Sequence, residues 1–203
     1  ELKSSETAEF DMPTQIVAGT LTAEVKVYPS PVATMQEGLE GMLREPCGCF
    51  EQTTSSNYPN VMILQYLEEY GRDGLDPAVA KRANGMLKRG YARLTGYECK
   101  TKGYEWFGQD PGHEALTALG LMQFRDMAEV YPVSAEMMDR TRDWLVSKRD
   151  GKGGFTHARR ALHTWVGSYE VTNAYILMAM TEHGGAEGVE AELEATKKAA
   201  AES

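Results

Sequence analysis

The sequence lacks several features that define whole classes of protein. It contains no run of about 18 apolar residues, so it predicts no transmembrane helix. Positive charge is also in deficit, because 21 Lys and Arg face 30 Asp and Glu for a formal net charge of −9. Nucleic-acid surfaces depend on clustered Lys and Arg, and no basic stripe offsets this deficit. The composition therefore argues against a nucleic-acid partner.

Cysteine is scarce, with Cys47, Cys49 and Cys99 only. The three form no CxxC pair, and the CxC at 47–49 is a weak sign of zinc, so no metal site and no cofactor are predicted. If Cys49 has a chemical role, Cys47 and Cys99 remain as a possible disulfide, which would indicate an oxidising compartment. No secretory leader is present and the chain starts at Glu1, so we expect a piece of a longer protein.

The overall composition of the chain is that of one globular domain. The chain has 203 residues, 42% of them apolar and 25% charged, enough for one sizeable core. Residues 1–14 are polar, and residues 21–28 alternate apolar with polar side chains, which predicts a short β-strand. One strand cannot bury itself, so we assign residues 1–31 to a lead-in and a strand of a neighbouring β domain. Residues 32–203 form the main domain.

Apolar residues beyond position 31 follow helical spacing. Asp76 before a proline predicts a helix start, whereas Pro59 should break or kink any helix that begins at Glu51. Loops between the helices are short, except for two that carry glycine and aromatic residues. Helices are expected at residues 32–45, 61–70, 77–94, 114–131, 134–148, 169–183 and 186–201.

The two glycine-aromatic loops reveal an internal repeat. GYEWF at 103–107 is echoed by GGF at 153–155, and LTAL at 116–119 is echoed by VTNA at 171–174. The offset is roughly 50 to 57 residues, slightly longer than common helix-pair repeats. Helix pairs stacked side by side give an α/α solenoid or a closed toroid. The sequence therefore predicts an all-α fold of paired helices.

The chemistry of the chain is concentrated at residues 46–54, PCGCFEQTT. Cys49 and Gln52 are three positions apart, which puts their side chains on one side of a helical turn. A thiol held against an amide carbon can displace ammonia and leave an internal thioester. Gly48 permits close approach and positive φ, and a helix start would stabilise a thiolate. Two alternatives stay open: a hydrolase with a Cys49/His163 pair, and a structural scaffold with Cys49 in its core.

The motif CFEQ at 49–52 resembles the thioester signature of the alpha-2-macroglobulin and complement family, in its bacterial branch. The similarity continues in the family's order through PN at 59–60, the GYEWF loop, the LTA helix and the WL helix at 144–145 with its GGF loop. This resemblance implies an α/α toroid, a ring of paired helices like that of terpenoid cyclases. The ring is expected to be incomplete, because the family needs more residues than follow His163.

The resemblance also implies a function. Family members of this kind are large secreted or periplasmic defence proteins in which bait cleavage elsewhere uncovers the thioester, which then acylates a protease or another surface. The domain would be a single-use trap and protease inhibitor rather than an enzyme. Its partners would be those nucleophiles and the other domains of the parent protein. Cys49 would carry the leaving thiolate, Gln52 the acyl group, and Gly48 and Glu51 would support them.

Two further expectations come with the resemblance. A specificity residue follows the second loop, and His163 stands at the corresponding place, with His157 as a rival. Neutral imidazole is a competent nucleophile near pH 7, so His163 would take the acyl group first and favour its transfer to hydroxyls or water. A strained thioester must also be shielded from water, which would hydrolyse it. The aromatic residues that are candidates for this shielding are Phe50, Tyr58, Trp106, Phe107 and Trp165.

Overall fold

The computed structural model of the chain is built from α-helices. It describes residues 7, 9, 11, 15–25, 31–70, 76–157, 168–182 and 185–202, and within them it contains no β-strand, only two isolated β-bridges. The all-α fold predicted from the sequence is therefore confirmed. The described helices are α1 (Pro31–Met42), α2 (Phe50–Tyr70), α3 (Pro77–Thr95), α4 (Glu114–Ala128), α5 (Ala135–Val146), α6 (Tyr169–Thr181) and α7 (Glu190–Ala201).

The β-strand predicted at residues 21–28 is not formed where the structure describes that segment. Residues 21–25 have no strand assignment, and all five are exposed. An alternating pattern buries one face only when a second strand pairs with it, and the described part of the chain supplies none. Residues 26–30 lie outside the described residues, and the neighbouring β domain stays a prediction.

The helices pack as three consecutive pairs. The second helix of each pair packs against the first, giving α2 with α3, α4 with α5, and α6 with α7. In addition α2 contacts α4, and α4 contacts α6, so these three helices form one row. Helix α1 packs against α2 at the start of the row. This is the stacked helix-pair arrangement that the internal repeat predicts.

Local capping residues mark the starts of α3 and α5. Asp76 lies at the N-cap of α3, where its carboxylate accepts a hydrogen bond of 2.8 Å from the Ala78 N–H. Ser134 has the same role for α5, with its hydroxyl oxygen 3.2 Å from the Met137 nitrogen. Such caps satisfy backbone N–H groups that have no partner within the helix. Both starts were predicted from the sequence.

The sequence predicted a break or a kink at Pro59. The break is wrong, because α2 runs through the proline without interruption from Phe50 to Tyr70, and the kink stays a prediction. Contacts on either side of the proline hold the helix in place. The Asn60 carboxamide donates to the Arg44 carbonyl at 2.8 Å and accepts from the Arg44 N–H at 3.2 Å. Asn57 and Val61 are fully buried. Tertiary packing therefore outweighs the lost backbone hydrogen bond.

The start of α2 is fixed by a close approach to α4. Phe50 is fully buried, and its ring stacks on Tyr104 with centroids 4.9 Å apart. A Cβ added at Gly120 would lie 2.8 Å from the Phe50 ring. Glycine at 120 is therefore required for Phe50 to pack here. This contact positions the residues that immediately precede and follow Phe50.

Candidate functional site

The candidate site is the tight turn that leads into α2. Gly48 has a φ of 81°, a conformation that side-chain-bearing residues rarely adopt. The Gln52 Oε1 accepts a hydrogen bond from the Cys49 N–H at 3.2 Å. A Cβ built on Gly48 would lie 2.1 Å from that Oε1 and 2.9 Å from the Gln52 Cδ. The Gln52 carboxamide thus lies directly on the Gly48 α-carbon, next to Cys49.

The structure brings together the three residues that the sequence analysis placed at the centre of the chemistry. Cys49 is half-buried, and its thiol is free. Gly48 gives the Gln52 side chain the space to fold back over the turn. The arrangement holds a thiol and a carboxamide on one short segment, while the chemical roles of Cys49 and Gln52 stay predictions.

The possible disulfide between Cys47 and Cys99 is not formed, because both thiols are free. Cys47 is exposed, whereas Cys99 is 1% exposed and donates its S–H to the Gln109 carbonyl at 3.1 Å. Burial, together with the nearby Asp110, raises the pKa of Cys99 to about 11. A buried thiol of that pKa is a poor nucleophile at neutral pH.

The carbonyl of Gly48 is held by one side chain from the last turn of α3 and one from the loop that follows it. The Tyr97 hydroxyl donates to it at 2.6 Å, and the Arg93 guanidinium donates through Nη2 at 2.8 Å. The Arg93 Nε also contacts Thr53 Oγ1 at 3.2 Å. These bonds fix the peptide that joins Gly48 to Cys49. Neither Arg93 nor Tyr97 could be predicted from the sequence, since nothing in their local pattern links them to a residue so distant along the chain.

Trp106 is attached to the first turn of α2 by two hydrogen bonds. Its indole N–H donates to the Glu51 carboxylate at 2.9 Å, and its carbonyl accepts from the Phe50 N–H at 2.9 Å. The side chain of Trp106 is 6% exposed. Glu51 therefore connects the reactive segment to the first glycine-aromatic loop. The supporting role of Glu51 and the covering role of Trp106 stay predictions.

The other candidate shielding residues lie in different surroundings. Phe50 is in the core beneath the turn. Tyr58 lies further along α2 and donates its hydroxyl to Asp126 of α4, and burial raises its pKa above the usual range. Phe107 is 59% exposed. Their shielding roles stay predictions. Trp165 lies outside the described residues.

Two of the four histidines, His113 and His157, lie within the described residues. His113 precedes α4, is 5% exposed, and has its ring centroid 5.0 Å from that of Trp106. Burial lowers its pKa. His157 has its Nε2 2.9 Å from the Asn173 Oδ1. His163, the preferred specificity residue, lies outside the described residues, so its position relative to Gln52 stays a prediction.

Neither a metal centre nor a membrane span was found in the part of the chain that the structure describes. No three His, Cys, Asp or Glu side chains there converge on a position that could hold a metal ion. None of the described helices combines the length and the apolar character needed to cross a membrane.

Comparison with known proteins identifies the family. Residues 21–202 match the model of the A-macroglobulin TED domain. Because this match includes most of the sequence, the chain belongs to the A-macroglobulin TED domain family. The resemblance inferred from the CFEQ motif is thereby confirmed at the level of the family.

Individual relatives agree with this assignment. The chain is 25% identical over 181 residues to thioester-containing protein 1 allele R1 of Anopheles gambiae, a match that covers 87% of this chain. It is 26% identical over 164 residues to alpha-2-macroglobulin-like protein 1 of Mus musculus, covering 80% of this chain. The matched regions are only 13% and 11% of those relatives.

A solved structure shows the same fold. The crystal structure of a mutant Salmonella alpha-2-macroglobulin matches with a TM-score of 0.56 and 20% sequence identity, covering 80% of this chain and 10% of that protein. At this identity the likeness concerns the fold alone. It agrees with the helical toroid expected for the domain, of which this chain provides seven described helices.

Proposed function

We propose that residues 32–203 are the thioester-bearing domain of a larger, secreted or periplasmic protease-trapping protein, in which Cys49 and Gln52 form an internal thioester. The observation that carries the proposal is the contact of the Gln52 carboxamide with Gly48 and the Cys49 N–H, at 3.2 Å for the hydrogen bond. Membership of the A-macroglobulin TED domain family supports it. The first 31 residues belong to a lead-in and a neighbouring β domain of the same parent.

The proposed chemistry has two stages. The Cys49 thiolate attacks the Gln52 Cδ, and the side-chain nitrogen leaves as ammonia, so that an S–C bond replaces a C–N bond. Later a hydroxyl or amine of a target attacks the same carbon, and Cys49 leaves as a thiolate. Each domain reacts once, so it is a trap for proteases or surface nucleophiles rather than a turnover catalyst. It belongs to the defence of the organism that produces it.

The environment of the turn supports thioester formation in two ways. The bonds from Tyr97 and Arg93 to the Gly48 carbonyl hold the turn in one conformation, which reduces the entropy lost when the ring closes. Trp106, attached to Glu51, covers one side of the first turn and excludes water from it. His163 is proposed to accept the acyl group before its transfer to a hydroxyl.

Intact-mass spectrometry tests the proposal directly. The untreated chain should be about 17 Da lighter than its sequence mass, because ammonia has been lost, and methylamine should then add to Gln52 and free the Cys49 thiol. Cys49→Ala and Gln52→Ala should each have full mass. A full-mass wild-type chain that does not take up methylamine would contradict the proposal. Turnover of ester or peptide substrates that depends on Cys49, without a mass deficit, would indicate the hydrolase instead.

A further inference from the structure

Cys47 lies beside the proposed thioester, which is formed by Cys49 and Gln52 alone. Its backbone N–H donates to the Ser56 hydroxyl at 3.3 Å, and its carbonyl accepts from the Thr53 hydroxyl at 3.1 Å. The Ser56 hydroxyl in turn donates to the Gln52 carbonyl at 2.7 Å. Residues 52 and 56 lie on one face of α2. Cys47 is therefore fixed against the helical face that carries Gln52.

The Gln52 acyl carbon lies over the residue between the two cysteines. The Cδ is 2.9 Å from the position of a Cβ on Gly48, and Gly48 is bonded to both Cys47 and Cys49. Both thiols are free. They differ in environment, because Cys47 is exposed and Cys49 is half-buried. The Gln52 Cδ thus lies over the glycine that joins two cysteines, of which Cys47 is exposed and Cys49 is half-buried.

We propose that Cys47 is a second acceptor for the Gln52 acyl group, reached by thiol–thioester exchange. This inference rests on the proposed thioester. The Cys47 thiol loses its proton to water, and the resulting thiolate attacks the Gln52 Cδ. A bond forms between that carbon and the Cys47 sulfur, the bond to the Cys49 sulfur breaks, and Cys49 leaves as a thiolate that takes up a proton. No oxidant or other reactant is consumed.

The exchange moves the acyl group from a partly shielded sulfur to an exposed one. The two thioesters are isomers formed with similar alkyl thiols, so neither direction is strongly favoured. Attachment to one turn makes the reaction intramolecular, which gives a high effective concentration of the attacking thiol. Cys99 cannot compete, because it is buried and bonded to the Gln109 carbonyl. Cys47 would then present the acyl group to nucleophiles in solution.

Thiol labelling with N-ethylmaleimide distinguishes exchange from a static thioester. The chain is labelled near pH 7.5, quenched in acid, digested with pepsin, and the labelled sulfur is located by fragmentation. Only molecules that carry one adduct and still lack ammonia are analysed. Exchange predicts adducts on Cys49 as well as on Cys47, with the Cys49 share rising as labelling proceeds. An adduct confined to Cys47 at all times would overturn the proposal.

Two variants complete the test. Cys47→Ala should keep the mass deficit but react with methylamine at least about threefold more slowly, because the exposed thioester is no longer available. Cys99→Ala, the matched removal of a distant thiol, should react at the wild-type rate. An unchanged rate in Cys47→Ala would also overturn the proposal. A wild-type chain without the mass deficit would mean that the underlying thioester is absent, so the two failures are distinguishable.

Discussion

The two glycine-aromatic loops have the same kind of backbone closure, but they contact different parts of the molecule. The first loop (residues 96–113) is closed by a β-bridge between Glu98 and Tyr104. The second loop, described over residues 147–157, is closed by a β-bridge between Arg149 and Phe155. Both aromatic residues are fully buried. The repeat detected in the sequence is therefore a repeat of loop architecture as well as of helix pairs.

Each loop is also anchored in the same manner to the helix that follows it. The Tyr104 N–H donates to the Thr117 hydroxyl at 2.9 Å, and the Phe155 N–H donates to the Asn173 carboxamide at 3.2 Å. These bonds satisfy backbone groups that are buried with the aromatic side chains. In the repeat found in the sequence Thr117 corresponds to Thr172, so the anchoring residue Asn173 lies one position further along its helix.

The difference lies in the residues beyond the buried aromatic. In the first loop Trp106 bonds to Glu51 and so contacts the turn that holds Cys49. In the second loop Tyr169 of α6 bonds to Asp150 and packs on His157. The repeat thus supplies a common scaffold, and Trp106 of the first loop adds the contact with the segment that holds Cys49.

Alanine substitutions at Gly48 and Gly151, which both have a positive φ, should show whether thioester formation depends on contact with Gly48 or only on the absence of backbone strain. Gly48→Ala places a Cβ 2.1 Å from the Gln52 Oε1, whereas Gly151, with a φ of 70°, has no atom within 4 Å of the added Cβ. Each change costs about 1–2 kcal/mol of backbone strain. Only Gly48→Ala should abolish the mass deficit measured by intact-mass spectrometry. Equal deficits in both variants would show that contact with Gly48 is not needed for the thioester.

Removal of one aromatic hydrogen bond in each loop tests the covering role of Trp106. Trp106→Phe loses the bond to Glu51 and part of the buried ring, so methylamine should react several-fold faster as water and small nucleophiles gain access. Tyr169→Phe removes the bond to Asp150 and should leave that rate unchanged. The rates are measured by the release of the Cys49 thiol. Equal rates in wild type and Trp106→Phe would contradict the shielding role.

His113 should make the stability of the first loop depend on pH. Burial holds its pKa below the usual range, although Glu51, Glu105 and Glu114 partly oppose this and the nearby His157 adds to it. The unfolded chain therefore binds a proton more readily as pH falls below about 6.5, and the free energy of unfolding decreases. This contribution is at most about 1.4 kcal/mol per pH unit, the linkage of one proton.

Urea denaturation at pH 7.5 and pH 5.5 measures the contribution of His113. His113→Phe removes the titrating group while keeping an aromatic ring against Trp106, so the variant should lose less stability between the two pH values than the wild type. The Nδ1 of His113 is buried and has no hydrogen-bond partner in the described part of the chain, so the substitution breaks no bond at that atom. Identical pH dependence in the two proteins would show that other groups cause the acid loss.

The smallest effect is expected at Phe107. This side chain is 59% exposed, so Phe107→Ser should change the free energy of unfolding by less than about 0.5 kcal/mol. The methylamine rate should also stay close to that of the wild type, in contrast to Trp106→Phe. A large increase in the rate for Phe107→Ser would show that Phe107 covers the thioester in solution and would extend the shield beyond Trp106.

Most of the helices could be predicted from the sequence because their signals are local. The Asp76-Pro77 pair marks the start of α3, and Ser134 marks the start of α5. The strand predicted at residues 21–28 failed over 21–25, since a strand depends on a partner that is not local. The break predicted at Pro59 failed for a related reason. A proline removes one hydrogen bond, and the contacts that compensate come from Arg44 and from α4.

The sequence by itself determined the composition of the candidate site: Gly48, Cys49 and Gln52 lie within five residues, and this spacing places the Gln52 carboxamide against Gly48 and the Cys49 N–H. Tertiary structure decided what surrounds that turn. Arg93 and Tyr97 hold the Gly48 carbonyl, and the buried Trp106 bonds to Glu51 in the first turn of α2, whereas Phe107 is exposed. These contacts join segments far apart in sequence, so their geometry depends on how the helix pairs pack and not on local spacing.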